Sequence, residues 1–270
     1  MLEFSSDDPL AEPALSALYH AAPDAHGTPT LRYRLENQPA GWMALAPKKA
    51  PFGPGTLEEA FGFLEWRITE DVMASRDAVF LHAAGVRMGG SNVLIVGASG
   101  TGKSTLAAHL FARGHQLWGD DLVQFASTQR QFSAVQRSLK LDANTLESLS
   151  LLAVICSEGT QGTLFAPHAV FVSPAALRQD WQAPTAAADA VVILEAATHH
   201  GPARLETIGA AEAALIAARA LMGGGTSSNS EEQAELMARV LEAMSDLKAY
   251  RAAGSPASSV ADALERVIAA

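Results

Sequence analysis

Apolar and polar positions change period along this chain, and the changes mark its elements. Thr30–Glu36 (TLRYRLE) alternates apolar with charged residues, the period of a half-buried strand. Pro47–Gly55 (PKKAPFGPG) breaks that pattern and predicts a loop. Thr56 then opens T-L-E-E, a capping-box pattern, ahead of AFGFLEWRITEDVMAS, so a helix is expected to end near Ser75. Ala78–Met88 is rich in strand formers, Gly89-Gly90 is a turn signal, and Asn92–Val96 is a continuous apolar strand. Lys103–Arg113 (KSTLAAHLFAR) has helical spacing and stops at Gly114, and His115–Trp118 reads as a short strand. Strand, helix and strand of this length form a βαβ unit, which predicts two parallel strands with a right-handed crossover. Further strands are expected at Leu122–Ala126, Ser133–Leu141, His168–Ser173 and Ala190–Glu195. Helices are expected at Ala210–Leu221, Glu231–Leu247 and Val260–Ile268. The pattern predicts an α/β fold: a main domain over residues 57–270 with flanking helices, and a small appendage or subdomain over residues 1–56.

Composition narrows what such a fold can do. The 270 residues are 49% hydrophobic and 18% charged, enough to bury a core and too apolar for global disorder. The single cysteine, Cys156, excludes a disulfide framework and a cysteine-based zinc site. Nineteen Lys and Arg against 29 Asp and Glu leave a net charge of −10. That balance argues against nucleic-acid and anionic-membrane partners, which need a basic face. No apolar run approaches the roughly 20 residues of a membrane span, and MLEFSSDDPLAEPA lacks the features of a signal peptide, so a cytoplasmic protein is expected.

One segment carries chemistry. Gly97-Ala98-Ser99-Gly100-Thr101-Gly102-Lys103-Ser104 fits G-x-x-x-x-G-K-[ST] without a mismatch, between an apolar strand and an amphipathic helix. In such a P-loop the glycines admit backbone conformations and close approaches that a Cβ would block. Successive N–H groups then wrap a phosphate at the positive end of the following helix. Lys103 is expected to reach the β- and γ-phosphates of ATP. Ser104, followed by Thr105, is expected to offer its hydroxyl to Mg²⁺. Asp120 and Asp121 follow the next strand and should emerge at the same carboxyl edge of the sheet, where ligands bind in open α/β sheets. Neighbours on an extended chain point to opposite sides, so one carboxylate can serve Mg²⁺ while the other faces an incoming hydroxyl; the plainer alternative is that the pair only opens a turn. If Gly89-Gly90 is a two-residue hairpin loop, Met88 pairs with Ser91, and counting back sets His82 opposite Gly97. His82 is then either part of the phosphate site or a satisfied structural histidine.

Weaker candidates remain. Arg137 and Lys140, in FSAVQRSLKL, are cations for phosphate or substrate unless they mark a solvated strand end. His168 reads as a strand-start residue, and His199-His200 lack a cysteine or carboxylate at metal-ligand spacing. Ser99 lies in no G-x-S-x-G elbow.

The stretch FLHAAGVRMGGSNVLIVGASGTGKSTLAAHLFARGHQLWGDDLVQF resembles the catalytic core of the HPr kinase/phosphorylase family. The likeness lies in a strand bearing His-Ala, a P-loop after a short hairpin, and then R-G-H and D-D; it covers roughly residues 78–126. It implies the P-loop kinase sheet of HPr kinase type, extending to about residue 222. It also implies an active site of His82, Lys103, Ser104, Asp120 and Asp121, with Asp121 as base toward a serine hydroxyl. ATP and Mg²⁺ would be the cofactors, and a small protein or peptide bearing a serine the partner. Members of that family are often hexamers, so a homo-oligomer is a further implication. Two features depart from its bifunctional members: Lys103 is followed by Ser104-Thr105 where they have Ser-Glu, and their second Gly/Ile-rich signature is missing after Leu141. Both bear on whether HPr is the acceptor and whether the reverse, phosphorolytic reaction runs. In size and layout the chain is similar to stand-alone kinases that phosphorylate a serine of lasso-peptide precursors. A small-molecule kinase and a nucleotide-sensing module that transfers nothing are the competing functions.

Overall fold

The alternation in TLRYRLE produces the strand it predicts: over Leu31–Gln38, Tyr33 and Leu35 are buried while Arg32 and Arg34 face solvent. In the computed structural model, residues 2–11, 31–74, 78–126, 130–135, 137–149, 163–165, 170–196, 201–222 and 230–268 are described, and His168 and His199-His200 lie outside them. The chain divides into two units, Met1–Val72 with Arg137–Leu177, and Met73–Gln136 with Arg178–Ala270. The boundary drawn from sequence at residues 56 and 57 falls inside the first.

In the first unit, Leu31–Gln38 pairs in parallel with Leu2–Ser6 and antiparallel with Gly41–Leu45, whose other neighbour is Phe52–Gly55. The loop expected at 47–55 therefore ends in a strand. It lies at the sheet edge, where Pro54 removes no ladder donor that a central strand would need. The capping box is real: the Thr56 amide donates to Glu59 Oε2 at 2.8 Å and the Glu59 amide to Thr56 Oγ1 at 3.1 Å. It starts the helix Leu57–Ala74, which packs Phe61, Leu64 and Ile68 with Tyr33, Leu35 and Phe171. Phe171 belongs to a second sheet of this unit, ordered Leu139–Leu141, Val170–Val172, Thr163–Phe165.

The second unit carries the P-loop. Its strands are β1 (Val79–Leu81), β2 (Ala83–Met88), β3 (Ser91–Val96), β4 (Gln116–Gly119), β5 (Val123–Ala126), β6 (Gln131–Ala134), β7 (Ala190–Leu194), β8 (Gly201–Thr207), β9 (Leu221–Met222) and β10 (Lys248–Ser255). Its helices are α1 (Lys103–Ala112), α2 (Ala210–Ala218), α3 (Ser230–Ser245) and α4 (Ala257–Ile268). The main sheet has the order β8-β10-β7-β3-β2-β4, and a smaller one β6-β5-β1-β9. β3 is buried on both faces, which explains its unbroken apolar run. Core residues of both sheets, including Leu94, Val96, Trp118, Phe125 and Phe132, join Ala213 and Ala217 of α2 and Val240 and Met244 of α3. Trp118 is fully buried, donates its indole N–H to the Pro184 carbonyl at 2.7 Å, and stacks on Phe132.

Three expectations change here. The β-rich run 78–88 is two strands in two sheets, broken at His82. The predicted Ser133–Leu141 strand is also two, β6 in this unit and Leu139–Leu141 in the other, with Arg137 between them. The strands flanking α1 run parallel as predicted but are not neighbours, because β2 lies between them, antiparallel to both.

Candidate active site

The hairpin sets the site. Met88 pairs with Ser91 and the ladder runs to Ala83 opposite Val96, so His82 is next in line with Gly97. At the break between β1 and β2 the His82 amide donates to the Ala220 carbonyl at 2.7 Å, which anchors the backbone there. Beyond β2, Gly85 pairs with Gly119 at the end of β4, and the turn that follows brings Asp121 back beside His82. A Cβ on Gly85 would lie 2.8 Å from that of Trp118, and one on Gly119 would lie 2.6 Å from the Leu122 carbonyl oxygen. Close packing at these two glycines makes the sharp turn after β4. Within it Asp121 has φ +69°, a left-handed conformation that Asp and Asn tolerate better than most residues.

The result is a pair: His82 Nε2 and Asp121 Oδ1 stand 2.6 Å apart. Both remain accessible, with side chains 34% and 50% exposed. Asp120, next in the chain, is buried. The acidic pair does lie in a turn, and that turn is what sets Asp121 against His82.

The P-loop follows from its glycines. Gly100 and Gly102 take positive φ, and a Cβ on Gly97 would lie 2.4 Å from the Leu194 carbonyl oxygen of β7. Ala98, Ser99 and Gly100 form an exposed lip, and Thr101 ties the loop by donating its hydroxyl to the Ala98 carbonyl at 2.9 Å. Ser104 and Thr105, half-buried, lie in the first turn of α1. Lys103 is buried and its ammonium donates to the carbonyls of Gly97 and Ala98 at 3.0 and 3.1 Å. Burial pushes that ammonium below the ordinary lysine value, and the negative charges of Asp121 and Asp120 push it back up. The two aspartates therefore act electrostatically on Lys103, although the rest of helix α1 and the strand β4 lie between them in sequence.

Arg137 and Lys140 belong to the other unit. Arg137 pairs with Glu65 at 2.9 Å with both side chains largely buried, and the Lys140 ammonium lies over the Phe171 ring. Among the described residues no cluster of three or more His, Cys, Asp or Glu side chains forms a metal cage, and no helix is long and apolar enough to cross a membrane. What sequence reasoning missed is the far wall of the P-loop, made by the ends of β7 and β10 and the start of α4. Long-range strand pairing brings those segments there, and nothing local announces it.

A glycine-rich loop at the carboxyl edge of an α/β sheet, with a lysine, two aspartates and a histidine about it, is the kind of setting in which phosphate groups are bound. Residues 73–155 match the family model described as the HPr Serine kinase C-terminal domain, and over that segment the chain is HPr kinase-like. Over 52 residues it is 44% identical to the HPr kinase/phosphorylase of Azoarcus sp. (strain BH72), an alignment covering 19% of this chain and 17% of that protein. The chain thus matches less than a fifth of the length of that curated relative. A solved structure, the Hpr(Ser) kinase/phosphatase from Coxiella burnetii, aligns with 48% of this chain and 77% of that chain at 20% identity and a TM-score of 0.28.

Proposed function

We propose that this protein is an ATP- and Mg²⁺-dependent kinase that phosphorylates a serine hydroxyl of a small protein or ribosomal peptide precursor. The observation that carries the reading is the His82–Asp121 pair set beside the P-loop strand and coupled in charge to Lys103. A module that only senses nucleotide needs no accessible carboxylate there; a kinase needs one to receive the hydroxyl proton.

The residues divide the work. The P-loop amides and Lys103 bind and neutralise the triphosphate. Ser104 and buried Asp120 fit Mg²⁺, which commonly takes one or two protein oxygens plus phosphate and water rather than a full protein cage. That ion would supply charge neutralisation on the phosphoryl oxygens. Asp121 accepts the serine proton as the Oγ–P bond forms and the bond from the γ-phosphorus to the bridging oxygen of ADP breaks. His82, its Nε2 donating to Asp121 Oδ1, fixes the orientation of the carboxylate and faces solvent closely enough to pass the proton on. Incubation of the purified protein with labelled ATP, Mg²⁺ and candidate acceptors, read by intact mass, tests the proposal. One added phosphate on a serine-bearing peptide or protein supports it, and nucleotide binding without turnover on any acceptor would favour the sensing module.

A further inference from the structure

The main sheet ends in a strand with one open edge. β8 is outermost and pairs on one side with β10; among the described residues no strand pairs with its other side. The register says which of its backbone groups face outward. The Ile208 amide donates to the Ala249 carbonyl at 3.0 Å, and the ladder continues with Thr207 opposite Tyr250 and Glu206 opposite Arg251. On β10 the Ala252 carbonyl, opposite Leu205, is turned the other way and accepts from the Glu195 amide after β7 at 2.9 Å. Hydrogen-bonded and non-hydrogen-bonded pairs alternate in an antiparallel ladder, so Arg204 and Glu206 bond to β10 while Leu205 and Thr207 turn their N–H and C=O groups outward. Arg204 and Glu206 share one face of the strand and are exposed; Leu205 is half-buried on the other.

We infer that this edge is a self-association surface, on which a second copy of the chain adds its own β8 antiparallel about a two-fold axis at Leu205. Leu205 then exchanges both backbone bonds with the second copy's Leu205, and the Thr207 amide donates to the second copy's Ala203 carbonyl. The Ala203 amide takes no part, because Ser259 Oγ of α4 holds it at 3.0 Å. Charge complementarity selects this occupant. Arg204 falls opposite the second copy's Glu206, and Glu206 opposite its Arg204, in the non-hydrogen-bonded pairs where side chains stand closest. A parallel copy in the same register would set like charges together instead. Both charges are available: among the described residues Arg204 has no ion pair, and Glu206, with its side chain 69% exposed, comes only within 3.8 Å of Arg251. The same charges, with Pro202, discourage any strand that does not match them. A closed two-fold pair also leaves no edge on this side to propagate. β8 lies three strands from β3, on the side away from His82 and Asp121, so the inference does not depend on the kinase reading.

Charge reversal tests both the partner and the register. Sedimentation velocity on the full chain, from about 1 to 100 μM, should show reversible association of the unaltered protein. Arg204→Glu and Glu206→Arg should each weaken it by about tenfold or more in Kd, since either one sets two like-charge pairs across the axis. An equimolar mixture of the two variants should associate as the parent does, because each strand then meets its opposite. Thr207→Pro is the safeguard should a charge variant lose the fold by circular dichroism. Thr207 is exposed, and its amide makes no bond to β10, so proline there removes an outward donor while sparing the sheet, and association should again weaken. A parent that sediments as a monomer at the highest concentration would overturn the inference. So would association that the folded variants leave unchanged, or a mixture as weak as its two components.

Discussion

Asp121→Asn tests the proposed proton-accepting role with little else disturbed. The side chain is nearly isosteric, and asparagine tolerates the φ of +69° as well as aspartate does, whereas alanine would add roughly 1–2 kcal/mol of backbone strain. The amide oxygen can still accept from His82 Nε2, now 2.6 Å from Oδ1. Because the Asp121 side chain is half-exposed, the charge lost should change stability by less than about 1 kcal/mol. Turnover is another matter. An amide cannot take the serine proton, and the usual worth of a general base is about 10²–10⁴-fold. At 1.36 kcal/mol per decade that is about 3–5 kcal/mol on the barrier. A second readout follows from Lys103, whose ammonium is held down by burial and raised by Asp121 and Asp120. Removing one of those negative charges lowers it further, so nucleotide binding should weaken at a lower pH on the alkaline side in the variant than in the parent. Initial rates by intact mass and ATP titrations from about pH 7 to 10 would measure both. A rate within about tenfold of the parent, with normal folding, would refute Asp121 as the base.

Three other outcomes are expected. Lys103→Met should abolish transfer and weaken ATP binding by calorimetry, because the buried ammonium beside Gly97 and Ala98 is the loop's point charge; unchanged affinity and turnover would remove the central claim. His82→Ala should lower turnover more than it lowers the melting temperature, since only the His82 backbone is tied to Ala220 while its half-exposed ring serves Asp121; full activity with a much lower melting temperature would make it a structural histidine. Burial works against ionised Glu265, but hydrogen bonds from His115 and Arg113 outweigh it and hold its carboxyl below the ordinary glutamate value. The stabilisation is complete above that ordinary value and lost as pH falls through the lowered one, so urea melts of Glu265→Gln should lose less stability than the parent between about pH 6 and 3, and equal losses would exclude the linkage.

Local signals carried the P-loop and its surroundings well because each is set by near neighbours in sequence. The capping box at Thr56, the hairpin at Gly89-Gly90 and the glycines of the loop need no distant partner to specify their geometry. The hairpin register even located His82. Strands with mixed composition were a different case. β10 (KAYRAAGS) and β8 (GPARLET) carry Ala, Gly and charge in place of strand-forming runs. β10 is a strand because β7 and β8 pair with its two edges and because Ala249 and Ala252 are buried there, a tertiary decision that composition does not announce. Ser133–Leu141 failed in the opposite sense: Val135, Leu139 and Leu141 keep one alternating face that only Arg137 interrupts, yet β6 pairs with β5 while Leu139–Leu141 pairs with Val170–Val172 in the other unit. Arg137 sits at the crossing, and Glu65, far away in sequence, is what makes its burial tolerable.

The two aspartates show how much one turn can settle. Alternation along an extended chain predicts only that they point apart. The turn after β4 adds burial to direction: Asp120 goes inward and Asp121 outward, half-exposed and against His82. A carboxylate kept inside needs a permanent cation nearby, and Lys103, with any ion held by Ser104, is suited to that. A carboxylate that must meet the hydroxyl of a bulky acceptor has to stay open to solvent until that acceptor arrives. Exchanging the two positions would leave a base that no peptide could reach and a metal-linked carboxylate in water. On the proposed kinase mechanism, their different burial argues for Asp121 as base and Asp120 as metal-linked carboxylate more strongly than their order in the chain does.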